Sequence, residues 1–286
     1  MCDDDIHVGL IYDPTVSRRT FGLAAVAVAG LGSAAHAQTN VVEKDVEVKT
    51  ADGTADAALY YPSGKGTWPA VLIWTDIAGL RPAFRDMGRR LASQGYVVLV
   101  PNPFYRSIKG VVATPGFDFA KPEDRARVMG YRQAMTNDGV DKDAAAYVAF
   151  LDAQPQTNKK KKVGVQGYCM GGPLSFRTAA AASSRIGAVG SFHGGGLTTK
   201  NPDSPHLLIP KTNASFLCCV AQNDDKNQPE SKDILKAAFA EAKRPATVEV
   251  YPANHGWCVK GSAVYDEPSA EKAWAALSDL YKKTLA

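Results

Sequence analysis

A regular cysteine pattern is missing from this chain of 286 residues: Cys2, Cys169, Cys218, Cys219 and Cys258 are odd in number and irregularly spaced. That excludes a disulfide framework and offers no zinc-ligand spacing. Cys218 and Cys219 are adjacent on an expected strand, so they point to opposite faces and read as small apolar packing. Sequence repeats and low-complexity tracts are missing as well. So is a basic stripe interleaved with aromatics, which leaves no case for nucleic-acid binding. The lysine run 159–162 precedes a strand and reads as a solvated turn. The apolar run 23–35 falls short of the roughly 20 residues a permanent membrane span needs.

What is present suits one sizeable domain, with 45% hydrophobic and 22% charged residues. Residues 1–37 read as a separate export segment and 38–286 as the domain. Ser17-Arg18-Arg19-Thr20-Phe21-Gly22-Leu23 resembles the twin-arginine signal, with Gly22 and Leu23 where Leu and Lys are usual. The short apolar run follows, and Ala35-His36-Ala37 is a cleavage site of the A-x-A kind. This order predicts a precursor handled by the twin-arginine translocase and a periplasmic or secreted mature protein starting at Gln38. Removing 1–37 takes away four acidic residues (Asp3, Asp4, Asp5, Asp13) and two basic ones (Arg18, Arg19), leaving a more basic remainder.

From residue 69 onward apolar runs alternate with helical patterns. Strands are predicted over 69–74, 96–100, 163–166, 186–192, 215–221 and 247–251, after an N-terminal hairpin over 41–49 and 57–61. Helices are predicted over 82–92, 122–135, 138–153, 173–182, 229–243 and 268–285. Such alternation means a mostly parallel sheet with helices on both faces. Functional groups in such sheets gather at the carboxyl ends of the strands. The long irregular segment 102–122 reads as a loop covering a pocket.

The stretch with the most chemistry is Gly167-Tyr168-Cys169-Met170-Gly171-Gly172, between an apolar strand and an Ala-rich helix. It is the nucleophile-elbow pattern G-x-S-x-G with cysteine for serine. A nucleophile on so sharp a turn needs neighbours without side chains. The helix that follows points its N-terminus at the thiol and favours thiolate and oxyanion. Past other strand ends lie Asp76, His193, Asp224 with Asp225, and His255. The order Cys169, then Asp, then His255 is the nucleophile–acid–base order of the α/β-hydrolase fold.

These residues resemble the dienelactone hydrolases from about residue 69 to the C-terminus. The likeness rests on the elbow, on Tyr251-Pro252-Ala253-Asn254-His255-Gly256-Trp257, on the strand end carrying Asp224 and Asp225, and on Asp76-Ile77-Ala78-Gly79-Leu80. It implies a Cys-His-Asp triad that opens lactones or cleaves esters of small-molecule substrates with no metal or organic cofactor. By this resemblance Cys169 is the nucleophile, His255 the base, and the amides of Met170 and Ile77 the oxyanion donors. The spacing to Pro229 favours Asp225 as the triad acid; strand register allows Asp224. Asp76 stands where characterised members carry a Glu beside the thiol. Arg106 matches one of the family's substrate-carboxylate arginines; for the second, Lys260 is only the nearest basic residue. Trp257 is expected to line the pocket. Two other classes fit the same residues: a binding protein that keeps the fold without activity, and a thiol redox protein with Cys258 resolving Cys169.

Overall fold

The computed structural model describes residues 40–285, so the export segment expected at 1–37 lies outside the described residues. Eight strands form one sheet in the order β1-β2-β4-β3-β5-β6-β7-β8. β1 (Val41–Thr50) and β2 (Gly53–Pro62) make the expected antiparallel hairpin, closed where Thr50 pairs with Gly53. β2 also runs antiparallel to β4 (Val97–Pro101). The remaining pairings are parallel, linking β4, β3 (Ala70–Trp74), β5 (Val163–Tyr168), β6 (Ile186–Phe192), β7 (Ser215–Ala221) and β8 (Ala246–Tyr251).

The central strands are buried along their whole length: β3, β4 and β5 have no exposed residue. That is why they read as continuous apolar runs rather than as alternation. One face carries α3 (Asn137–Ala153), α4 (Gly171–Ala181) and α6 (Ser231–Glu241), packed through Val140, Leu151, Phe176 and Phe239. The other carries α1 (Pro82–Ser93) and α7 (Glu267–Leu285), through Phe84, Leu91, Leu277 and Tyr281. α1 shows how the pattern works. Phe84, Met87, Gly88, Leu91 and Ala92 recur at three- and four-residue steps and are buried, while Pro82 opens the helix. At α3 the Thr136 hydroxyl accepts from the Gly139 amide at 3.1 Å and caps the first turn. Among the described residues no helix is long and apolar enough to cross a membrane.

Two local expectations change. α2 (Pro122–Gln133) follows the segment 102–121, which turns inward instead of shielding a pocket: Phe104, Val112, Phe117 and Phe119 are all buried in the first face's core. And residues 222–225, expected as a plain strand end, coil into the short helix α5 (Gln222–Asn227).

Candidate active site

β5 ends at Tyr168 and α4 begins at Gly171, so only Cys169 and Met170 make the turn. Cys169 adopts φ +52°, the left-handed region that L side chains disfavour. The flanking glycines are compulsory. A Cβ on Gly167 would stand 1.9 Å from the Gly171 carbonyl oxygen, and one on Gly171 2.5 Å from that of Trp74. The second contact also sets the loop after β3 directly against the elbow. The Cys169 amide donates to the Phe192 carbonyl at 3.0 Å, and the Gly172 amide donates to the Cys169 carbonyl at 3.0 Å. Cys169 is buried but borders a cavity of about 230 Å³.

His255 and Asp224 border the same cavity. His255 follows β8, and its amide donates to the Asn223 side-chain oxygen at 2.8 Å. Its ring Nδ1 donates to Asp224 Oδ2 at 2.7 Å. Its Nε2 is buried and, among the described residues, has no hydrogen-bond partner. Burial opposes charge on this ring, yet the Cys169 sulfur and the Asp224 carboxylate outweigh it and push the His255 pKa up to about 10. The carboxylate that meets His255 is therefore Asp224, not the favoured Asp225. Asp225 accepts from Lys232 Nζ at 2.6 Å instead. The physical reason is α5: adjacent residues of a helix diverge by about 100°, so only one of the pair faces His255.

The other expected residues divide. Met170 is on the cavity wall; Ile77 is buried in the loop that packs against the elbow. Among the described residues neither amide donates a hydrogen bond to another backbone group. Asp76 is buried, but its carboxylate is engaged by Arg81 at 2.5 and 2.7 Å and by the Ala78 amide at 2.9 Å. It makes no hydrogen bond to Cys169. Arg106 is away from the cavity: it forms a two-pronged pair with buried Asp143 at 2.7 and 2.9 Å and also holds Asp52 at 2.7 Å. Trp257 is fully buried, stacked on Tyr251, and is not on the cavity wall. Lys260 is exposed. Cys258 is a free thiol in the apolar cluster of the face opposite to the one that holds Cys169.

Sequence reasoning missed two features. Arg177 borders the cavity from α4, with Asp141 accepting from its Nε at 2.9 Å and its Nη2 at 2.6 Å. A signal existed: Met170, Leu174 and Arg177 recur at helical spacing from the elbow and share one face. The pocket wall after β6, residues 194–205, was also missed; its run of glycines read as a strand end. Among the described residues no group of three or more His, Cys, Asp and Glu side chains is placed to hold a metal ion.

The strand order and the elbow after β5 define an α/β-hydrolase fold. The chain belongs to the dienelactone hydrolase family, whose model matches residues 55–285. A carboxymethylenebutenolidase from Pseudomonas sp. is 29% identical over 232 residues, covering 81% of this chain and 91% of the relative. Another from Rhodococcus opacus is 29% identical over 229 residues, covering 79% and 83%. The crystal structure of a candidate dienelactone hydrolase from Klebsiella pneumoniae has a TM-score of 0.73 at 20% identity, covering 85% of this chain and 99% of that one. Membership makes the protein a hydrolase resembling the carboxymethylenebutenolidases, acting on lactones or esters.

Proposed function

We propose that this hydrolase works by covalent catalysis through Cys169, with His255 as the base and Asp224 as the acid. The carrying observation is that a left-handed cysteine and an Asp-held histidine open on one cavity. His255 holds the proton given up by the thiol, and the sulfur attacks the ester carbonyl carbon. The carbonyl π electrons move onto oxygen, where the Met170 and Ile77 amides receive the charge. Collapse breaks the C–O bond, and the leaving alkoxide takes the proton back from His255. A water then gives a proton to His255, attacks the thioester and releases the acid with the thiol restored. A lactone follows the same steps, its alkoxide remaining on the acyl chain. Asp224 keeps the proton of His255 on Nδ1 and stabilises the imidazolium.

Asp76 enters this scheme through the backbone. Its carboxylate ties the Ala78 amide and Arg81 together, and so fixes the loop that carries the Ile77 amide. The reading is tested with a panel of alkyl and aryl esters and lactones on wild type and Cys169→Ala. Turnover should fall by about three orders of magnitude or more, and mass spectrometry should find the acyl group on Cys169. Retained turnover in Cys169→Ala would sink the covalent mechanism. We further infer export through the twin-arginine translocase to the periplasm, from Arg18-Arg19, the apolar run and Ala35-His36-Ala37. Replacing both arginines with lysine should leave uncleaved precursor in the cytoplasm; an unchanged periplasmic yield would refute it.

A further inference from the structure

Two neighbouring strands end in left-handed residues side by side. β5 and β6 pair in parallel up to Tyr168 against Phe192. The next residue on each, Cys169 and His193, has φ +52° and +40°. Strain at Cys169 is what an elbow requires. His193 is not itself a glycine, and Gly194 beside it packs closely against Gly172 of the elbow. His193 is 1% exposed, and among the described residues neither ring nitrogen has a hydrogen-bond partner. Its position is held by the backbone, whose amide donates to the Cys219 carbonyl at 2.8 Å. A buried polar ring on strained backbone, with both nitrogens unused, calls for an explanation in what the ring touches.

The ring forms a T-shaped, edge-to-face pair with that of His255, with centroids 4.8 Å apart and planes at 61°. It meets Trp257 likewise at 5.1 Å and 67°, and Tyr168 at 6.0 Å. We infer that His193 is a positioning residue: in contact with both Trp257 and His255, its ring sets the orientation of the His255 ring and stabilises the imidazolium that forms there. Aromatic rings stabilise an adjacent cation most where water is excluded. Trp257, expected on the pocket wall, backs His193 instead.

The charges around the pair favour this role. His255 faces Cys169 from the elbow and Asp224 from α5. Across the contact, His193 faces His255 as its charged neighbour, with Tyr168 contributing a neutral ring. Burial, and then the His255 charge, hold the His193 pKa well below the usual histidine range. The charge that Asp224 favours on His255 disfavours a second charge on His193.

This inference rests on His255 as the base of the proposed mechanism, so its test includes a measurement that needs no turnover. The full chain is compared as wild type, His193→Phe and His193→Leu, with His193→Met as a second aliphatic replacement should His193→Leu fail to fold. NMR titration of the His255 ring should show its pKa lowered by about half a unit in the aliphatic variant and nearly unchanged in His193→Phe. On an ester substrate kcat should fall about tenfold to a hundredfold in the aliphatic variant, with KM within threefold, and recover in His193→Phe. An unmoved His255 titration in the folded aliphatic variant, or equal losses in both variants, overturns the inference. Retained turnover in Cys169→Ala would instead strike the hydrolase mechanism, while the titration still decides the ring contact.

Discussion

Arg81 closes on Asp76 with both terminal guanidinium nitrogens, at 2.5 and 2.7 Å, where the two side chains are only 8% and 1% exposed. Removing one partner of so buried a pair strands the other without water. Asp76→Asn should therefore destabilise the fold by about 3 kcal/mol or more in urea titration. The double variant Asp76→Leu with Arg81→Met should recover most of that stability, while turnover stays low because the Ala78 amide loses its anchor. Full stability in Asp76→Asn would return Asp76 to the thiol-side role first expected of it.

The adjacent acids after β7 should separate cleanly. Asp224→Asn removes the acceptor for His255 Nδ1 and should lower kcat by about 10³-fold to 10⁴-fold. Asp225→Asn breaks only a partly exposed pair with Lys232, worth less than about 1 kcal/mol, and should leave turnover near wild type. Equal effects would mean that neither carboxylate orients His255.

The raised pKa of His255 gives the stability profile a definite sign. The folded value of about 10 lies above the ordinary 6.5, so the folded state binds this proton more tightly than the unfolded chain does. The associated stability is complete below about pH 6.5 and is lost as pH rises toward about 10. Urea unfolding between those limits should show a steeper decline for wild type than for His255→Gln. Parallel curves would contradict the coupling.

Arg106 should behave as a structural cation. Its two-pronged pair with Asp143, shared with the Tyr105 hydroxyl at 2.7 Å, ties the segment after β4 to α3. Asp143 is 1% exposed, and burial raises its pKa despite Arg106. Arg106→Met should cost about 3 kcal/mol of stability and leave KM for a carboxylate-bearing ester within threefold. A large rise in KM with stability intact would restore the substrate-binding role.

The sheet, the elbow and the nucleophile–acid–base order are legible in the order of residues alone. Buried parallel strands must be apolar along their length, and a cysteine on a sharp turn must have glycine on either side, so both leave marks in the order of residues. Tertiary structure decided which groups meet. Asp224 rather than Asp225 faces His255 because 222–227 coil into α5, a helix of under two turns and too short to write a periodicity of its own. Arg106 and Asp76 were diverted by Asp143 and Arg81, partners whose approach depends on how distant segments pack. His193 left no mark at all beyond a histidine after a strand. Its backbone strain and its contacts with His255 and Trp257 exist only where β6 and the loop after β8 are brought together.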